Sequence, residues 1–371
     1  MTTERWNLDI QFLSPVHVGA GITIEPYEYD IIEQDGNFFL LVLDQNKMFS
    51  SMNDSQRKEF DTLLDGDHVN HTIVSNWMKQ QFKATEYMKF AISIQESIGN
   101  QLKKNMSNEQ SRGAIELLTR NPNTGAPYLP GSSIKGSIRT ALLSSALGNP
   151  ITRELAGISA DRSDQDLQSS AFGYKKNGKT SLSHDPFRQL SVGDADIHPD
   201  DCFIHKIEMI RNPKSKKGDD ASGIKICRDM VHGIVSLGEH DPPPICTSAV
   251  SFQFGLLDIS IMREETLKQK ITPDSIIRSC NDFYIPNARE ELAKFGEIIL
   301  SSAKESILNQ LDSLQKNQCL IRLGRHSHFE NMVMTHHPKM REPEKGYGET
   351  RSYAGGKVPM GWAICSWSEK E

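Results

Sequence analysis

Lys135 and Arg139 lie four residues apart, just behind the turn Pro127-Tyr128-Leu129-Pro130-Gly131-Ser132-Ser133. They open an apolar-periodic run formed by Ile134, Ile138, Leu142 and Leu143, which predicts a helix. Residues four apart share a helical face, so the two cations point the same way. A helix start offers unsatisfied N–H groups and the positive end of the dipole to an anion. Ser132 or Ser133 is placed to cap those amides. Gly131 and Gly136, without side chains, permit close approach of a backbone. The pattern suits a phosphate but not a nucleoside triphosphate. Gly131 to Gly136 has the Walker glycine spacing, yet Ser137 stands where that loop needs lysine, and the lysine sits before the second glycine.

Other constellations carry less. Gly173-Tyr174-Lys175-Lys176-Asn177-Gly178-Lys179-Thr180 matches the Walker pattern letter for letter, but no apolar strand precedes it and Asp185-Pro186 follows, so it reads as a solvated basic loop. His326/His328 and His336/His337 are the densest histidine cluster, without the carboxylate spacing of a metal motif. His17 sits in a Gly-rich turn with Gly19 and Gly21, where it is either a structural histidine or a general base. Asp194 and Asp196 form an acid pair without a third convergent ligand. Arg322 and Arg325 flank Gly324, a second cationic glycine turn suited to phosphate contact or to solvent. Neither a metal nor a cofactor is expected.

The chain has 371 residues, 24% of them charged, and a net charge of -6. That balance argues against non-specific coating of nucleic acid and leaves room for a local basic groove. Six scattered cysteines without a CxxC pair read as buried thiols of a reducing compartment. The polar start from Met1 to Arg5 shows no signal peptide, and the strongest apolar run, Phe38 to Leu43, is too short to span a bilayer. A cytoplasmic protein without membrane contact is expected.

The positioning elements follow from periodicity. Arg5–Ser14 alternates as a half-buried strand, and Glu25–Glu33 with Asn37–Leu43 reads as a hairpin turning at Asp35-Gly36. Asp44 caps a helix, Ser55–Leu64 and His68–Phe82 predict two more, and Tyr87–Ile94 alternates again. Ser159–Ser183 reads as an exposed insertion. Strands are expected over Leu190–Ala195, Cys202–Ile210, Ser248–Met262, Gln318–Leu323 and near Pro359–Ile364, with a basic loop at Asn212–Ser222. Pro273 begins a short helix, and Asn287–Gln315 is the longest helical pattern. Short strands mixed with few helices point to an α+β class with two units.

Three of these pieces together resemble the RAMP superfamily of CRISPR proteins. They are Leu13-Ser14-Pro15-Val16-His17-Val18-Gly19-Ala20-Gly21, Tyr128 to Arg139 with its Pro130-Gly131 turn, and Leu323-Gly324-Arg325-His326-Ser327-His328-Phe329. Their order, Phe187–Asp196 and the closing Pro359-Met360-Gly361-Trp362 are most similar to the Csm subunit that caps the type III-A effector complex. The resemblance implies two ferredoxin-like (RRM-related) domains, placed at 1–185, with a helical insertion, and 186–371. It implies a non-catalytic subunit that binds CRISPR guide RNA toward its 3′ end, beside the repeated backbone subunit. It further implies guide maturation by nucleases recruited from outside. Lys135 and Arg139 would contact phosphates, with close approach at Gly131, Ser132, Ser133 and Gly136. His17, Gly19, Gly21, Arg322, Gly324 and Arg325 would line the same face if the glycine turns converge. A rival expectation is a metal-independent repeat endoribonuclease with His17 as its base.

Overall fold

A computed structural model describes residues 2–65, 71–106, 113–147, 168–213 except 170, 177, 178 and 181, 226–237 except 236, 244–254, 271–324, 331 and 350–370.

 Leu8, Ile10 and Phe12 of β1 (Thr2–Phe12) are fully buried, as the alternation requires. After the Ser14–Val18 turn come β2 (Gly19–Ile24), β3 (Tyr29–Gln34) and β4 (Asn37–Leu43). The β3–β4 hairpin turns at Asp35 and Gly36, both with positive φ (51° and 77°), the geometry that an Asp-Gly pair favours. Asp44 caps α1 (Gln45–Ser51), and an Asn53/Gln56 capping box starts α2 (Asp54–Leu64). Then follow α3 (His71–Gln81), β5 (Met88–Ile94), α4 (Glu96–Met106), β6 (Ile115–Leu118), β7 (Tyr128–Leu129) and α5 (Gly131–Leu147).

The second half holds β8 (Lys175–Lys176), β9 (Lys179–Thr180), β10 (Leu190–Val192), β11 (Ala195–Asp196), β12 (Cys202–Arg211), β13 (Ile226–Val231) and β14 (Ile245–Phe254). It closes with α6 (Pro273–Lys294), α7 (Ser301–Asp312), β15 (Gln318–Arg322), β16 (Thr350–Ala354) and β17 (Trp362–Glu369).

The fold is α+β. One sheet runs β10-β14-β1-β17-β15, and α5 and α6 pack together against its β15 edge. The other runs β2-β6-β13-β12-β5-β4-β3, with β16 also on β12. Both sheets draw strands from either side of residue 185. β1 lies between β14 and β17, while β5 and β6 pair in parallel with β12 and β13. Backbone ladders therefore cross the expected domain boundary, because long-range pairing, which local patterns do not encode, ties the first strand to the last.

Two expectations change, and two others are met as far as the described residues reach. The helix expected over Asn287–Gln315 is two helices, and α6 begins at Pro273 and continues through Pro286. An internal proline loses one helical hydrogen bond, but α6 buries Ile276, Phe283, Tyr284, Ala288 and Leu292 along its length. Ser159–Ser183 is not wholly exposed: in its described part Ser169, Phe172 and Tyr174 are buried. Of Ser248–Met262, the part to Phe254 is strand and the rest lies outside the described residues, as does Asn212–Ser222 beyond Pro213. Among its described residues the Walker-like stretch forms the β8–β9 pair, Lys175 opposite Thr180 and Lys176 opposite Lys179, and no strand–loop–helix.

Candidate nucleic-acid interface

A cleft of about 410 Å³ opens where the three glycine-bearing segments meet. The turn after β1 contributes His17 and Val18, β2 contributes Gly19, Gly21 and Ile22, and β6 contributes Glu116 and Leu117. One face of α5 supplies Ser133, Gly136, Ser137 and Thr140, spaced three and four apart. Tyr284, Arg322, Gly324 and Asn331 complete the lining.

Backbone contacts lock the segments together. Gly324 (φ 85°) lies so close to His17 that an added Cβ would overlap the His17 carbonyl oxygen. Leu323 N–H donates to the Gly361 carbonyl (2.8 Å), and Gly361 N–H donates to the Pro15 carbonyl (2.9 Å). Only glycine adopts such positive φ angles cheaply at so close an approach. Gly136 and Gly21, by contrast, have open space where a Cβ would stand.

His17 is buried, and its Nδ1 lies 2.7 Å from the Asp229 carbonyl. A carbonyl only accepts, so Nδ1 carries the proton and the neutral ring keeps its lone pair on Nε2. Burial lowers the His17 pKa below the ordinary histidine value, and the Asp229 carbonyl partly opposes that shift. Nε2 stands 3.7 Å from the Glu116 carboxylate, which also accepts from Arg228 at 2.9 Å. Behind this wall Asp229 holds Arg120 at 2.8 Å, both side chains buried.

The two leading cations of the sequence reading do not line the cleft. Lys135 donates to the Leu190 carbonyl at 2.6 Å, and burial lowers its pKa. Arg139 is clamped on the side of α5 away from the cleft. Its Nη1 pairs with Asp185 (2.9 Å), Nε donates to Gln168 (2.8 Å), and Nη2 donates to the Tyr174 hydroxyl (3.1 Å). The Phe172 and Phe187 rings lie 5.1 and 4.6 Å from its guanidinium carbon. The helix start is occupied too: Gly131 N–H donates to Asp194 Oδ1 at 2.8 Å. The acid pair therefore serves as a cap through Asp194, while Ser132 and Ser133 fall within the first turn and only Ser133 reaches the cleft. An added Cβ at Gly131 would overlap the Val192 carbonyl, which makes this glycine a packing residue.

Arg322 lines the cleft but is engaged by Glu291 through two nitrogens, at 2.6 and 3.2 Å, with its guanidinium carbon 4.4 Å from the Trp362 ring centre. Arg351 Nε lies 3.9 Å from the same carboxylate. Arg325 and the paired histidines at 326/328 and 336/337 lie outside the described residues.

The family model described as the RAMP superfamily matches residues 9–313. The chain belongs to the RAMP superfamily. This RAMP chain is similar in fold to a chain of the "Cryo-EM structure of Csm-crRNA-target RNA ternary complex in type III-A CRISPR-Cas system", at 17% identity and TM-score 0.63, covering 98% of this chain and 100% of that one. It is likewise similar to the "Crystal structure of T.onnurineus Csm5", at 18% identity and TM-score 0.65, covering 96% and 99%. No curated protein matches it.

Sequence reasoning brought His17, Gly19, Gly21, Ser133, Gly136, Arg322 and Gly324 of the RAMP chain to one cleft. It missed Glu116, Thr140 and Tyr284, together with the carboxylates Asp229 and Glu291 behind the walls. The signal for two of these was present: Glu116 alternates against the buried Ile115 and Leu117, and Arg228-Asp229 interrupts an apolar strand, which marks a buried ion pair.

Proposed function

We propose that this RAMP chain is a non-catalytic RNA-binding subunit of a type III-A CRISPR (Csm) ribonucleoprotein. In this role it caps the guide RNA 3′ region beside the repeated backbone subunit, and supports assembly and guide maturation by recruited nucleases in the cytoplasm. The observation that carries this reading is the convergence of the Gly19–Gly21 turn, the Gly136 face of α5 and Gly324 on one open cleft. Exposed backbone at Gly19, Gly21 and Gly136 suits a single strand of any sequence, which must be held by groups common to all nucleotides. End-to-end likeness in fold to Csm5 and to a chain of a Csm–crRNA–target RNA complex supports it. The test is photo-crosslinking of the assembled particle with guides carrying a reactive base at successive 3′ positions. Crosslinks to cleft peptides at the 3′ end are expected; crosslinks confined to the 5′ end, or none to this chain, would refute the assignment.

His17 favours a second reading, a repeat endoribonuclease. A neutral imidazole with its lone pair on Nε2, beside a carboxylate and in a cleft, has the state that a general base needs at neutral pH. Incubation of the purified chain with labelled repeat RNA, with and without EDTA, separates the two. Discrete EDTA-resistant cleavage that is lost in His17→Ala would favour the enzyme.

A further inference from the structure

Among the described residues, the electrostatics of the cleft do not match a phosphate clamp. Among its described lining residues Arg322 is the only arginine or lysine, and Glu291 holds it through two hydrogen bonds. The opposite group is a carboxylate: Glu116, with its side chain 22% exposed. A carboxylate repels a phosphate and accepts hydrogen bonds from O–H and N–H donors.

Glu116 is also held in place. The buried Arg228 guanidinium grips it at 2.9 Å from behind, which fixes the orientation of the carboxylate. Gly19, whose added Cβ would stand 2.8 Å from His17 Nε2, keeps the space in front of this wall open. A group that enters beside Glu116 is favoured when it is a hydrogen-bond donor and disfavoured when it is an anion. In a single strand of variable sequence the bases differ from guide to guide, and the phosphates are anions. The donor that every ribonucleotide carries at the same place, whatever its base, is its 2′-hydroxyl.

We propose that Glu116 accepts a hydrogen bond from a ribose 2′-hydroxyl, so that the cleft selects RNA by its sugar and not by its phosphate. This rests on the RNA-binding reading above. Glu116 is then a specificity-determining residue: a strand lacking the hydroxyl forgoes one hydrogen bond to a carboxylate that Arg228 already holds in place. Arg228 is a positioning residue that acts through Glu116.

The test uses the full-length chain and a roughly ten-nucleotide single-stranded uridine RNA labelled at one end. Binding is measured by fluorescence anisotropy while single 2′-deoxy or 2′-fluoro nucleotides are walked along the strand. Fluorine keeps the ribose pucker but cannot donate. At one or two positions both substitutions should weaken binding by about tenfold, the loss expected for one hydrogen bond to a charged group. In Glu116→Gln the all-ribose strand should bind more weakly, and the penalty for fluorine at those positions should largely vanish.

Equal binding of ribose, fluoro and deoxy strands by the unaltered chain would overturn the inference without any variant and leave the RNA-binding reading intact. So would tighter binding by Glu116→Gln, which would mean that the carboxylate merely repels phosphates. If no oligonucleotide binds the chain and none crosslinks to it in the assembled particle, the RNA-binding reading fails and this inference fails with it.

Discussion

Arg139→Ala should unfold the corner of the protein that the sequence assigns to RNA. The Arg139 side chain is 20% exposed and Asp185 15%, so the pair is mostly shielded from water. Removing the guanidinium strands Asp185, Gln168 and the buried Tyr174 hydroxyl, and empties the space between Phe172 and Phe187. Breaking a fully buried ion pair costs about 3–5 kcal/mol. Partial exposure lowers that figure, and lost ring contacts of about 0.5–1 kcal/mol each raise it again, so a net cost of about 3 kcal/mol is expected. Asp185 retains one polar partner, the Phe187 N–H at 3.0 Å. Urea unfolding should show a lower midpoint at unchanged slope, with limited proteolysis cutting first between residues 168 and 190. Arg139→Lys should recover less than half of the loss, because an ammonium cannot make the same fork of hydrogen bonds between stacked rings. An Arg139→Ala protein of full stability that binds RNA poorly would refute this reasoning and restore Arg139 as a phosphate contact.

Two glycine substitutions should act in opposite directions. Gly324→Ala, which places a Cβ against the His17 carbonyl at φ 85°, should destabilise by at least about 2 kcal/mol in urea unfolding. Gly136→Ala fills open space inside α5 and should stabilise by about 1 kcal/mol, while its methyl group narrows the cleft and weakens RNA binding in anisotropy titrations. Stability should also fall on acidification. His17 and His205 both have pKa values lowered by burial, so below the ordinary value of about 6.5 the unfolded chain binds protons that the folded chain refuses. Urea midpoints should therefore drop from pH 7 toward pH 5, and less steeply in a His17→Gln, His205→Gln variant. The six buried cysteines form no disulfide, and burial pushes the thiols of Cys227 and Cys246 up to about 11 and about 12. Because the thiolate is the reactive form, iodoacetamide labelling of these two should track unfolding and be negligible in the native protein.

Local patterns were legible wherever the physics was local. The Asp35-Gly36 hairpin, the Asp44 cap and the burial of Leu8, Ile10 and Phe12 follow from turn chemistry and period-two alternation. The expected separation of the Pro273 helix from the Asn287–Gln315 pattern does not occur: proline weakens a helix locally, while the packing that keeps α6 continuous through Pro286 comes from residues distant in sequence. The cleft was half legible. Glycines that must adopt positive φ or admit a neighbouring backbone are visible in the sequence, and three such segments do converge. The partners of the charged residues were not visible: Asp185 lies 46 residues from Arg139, and Glu291 lies 31 from Arg322.

The sequence by itself determined the α+β class, the RAMP likeness, the failure of both Walker-like stretches and the glycine segments that shape the cleft. These depend on spacing, on backbone φ and on residues near in the chain. Only the tertiary structure decided which cations face a ligand. A charge in a sequence is indistinguishable from its neutralised counterpart until the fold brings the opposite charge to it. Lys135 and Arg139 lie on one face of α5 and Gly136 and Thr140 on another, and packing against β10 and the Phe172–Phe187 corner turned the cations inward. On β6, Glu116 stands between the buried Ile115 and Leu117 and lines the cleft, as Arg322 does from β15.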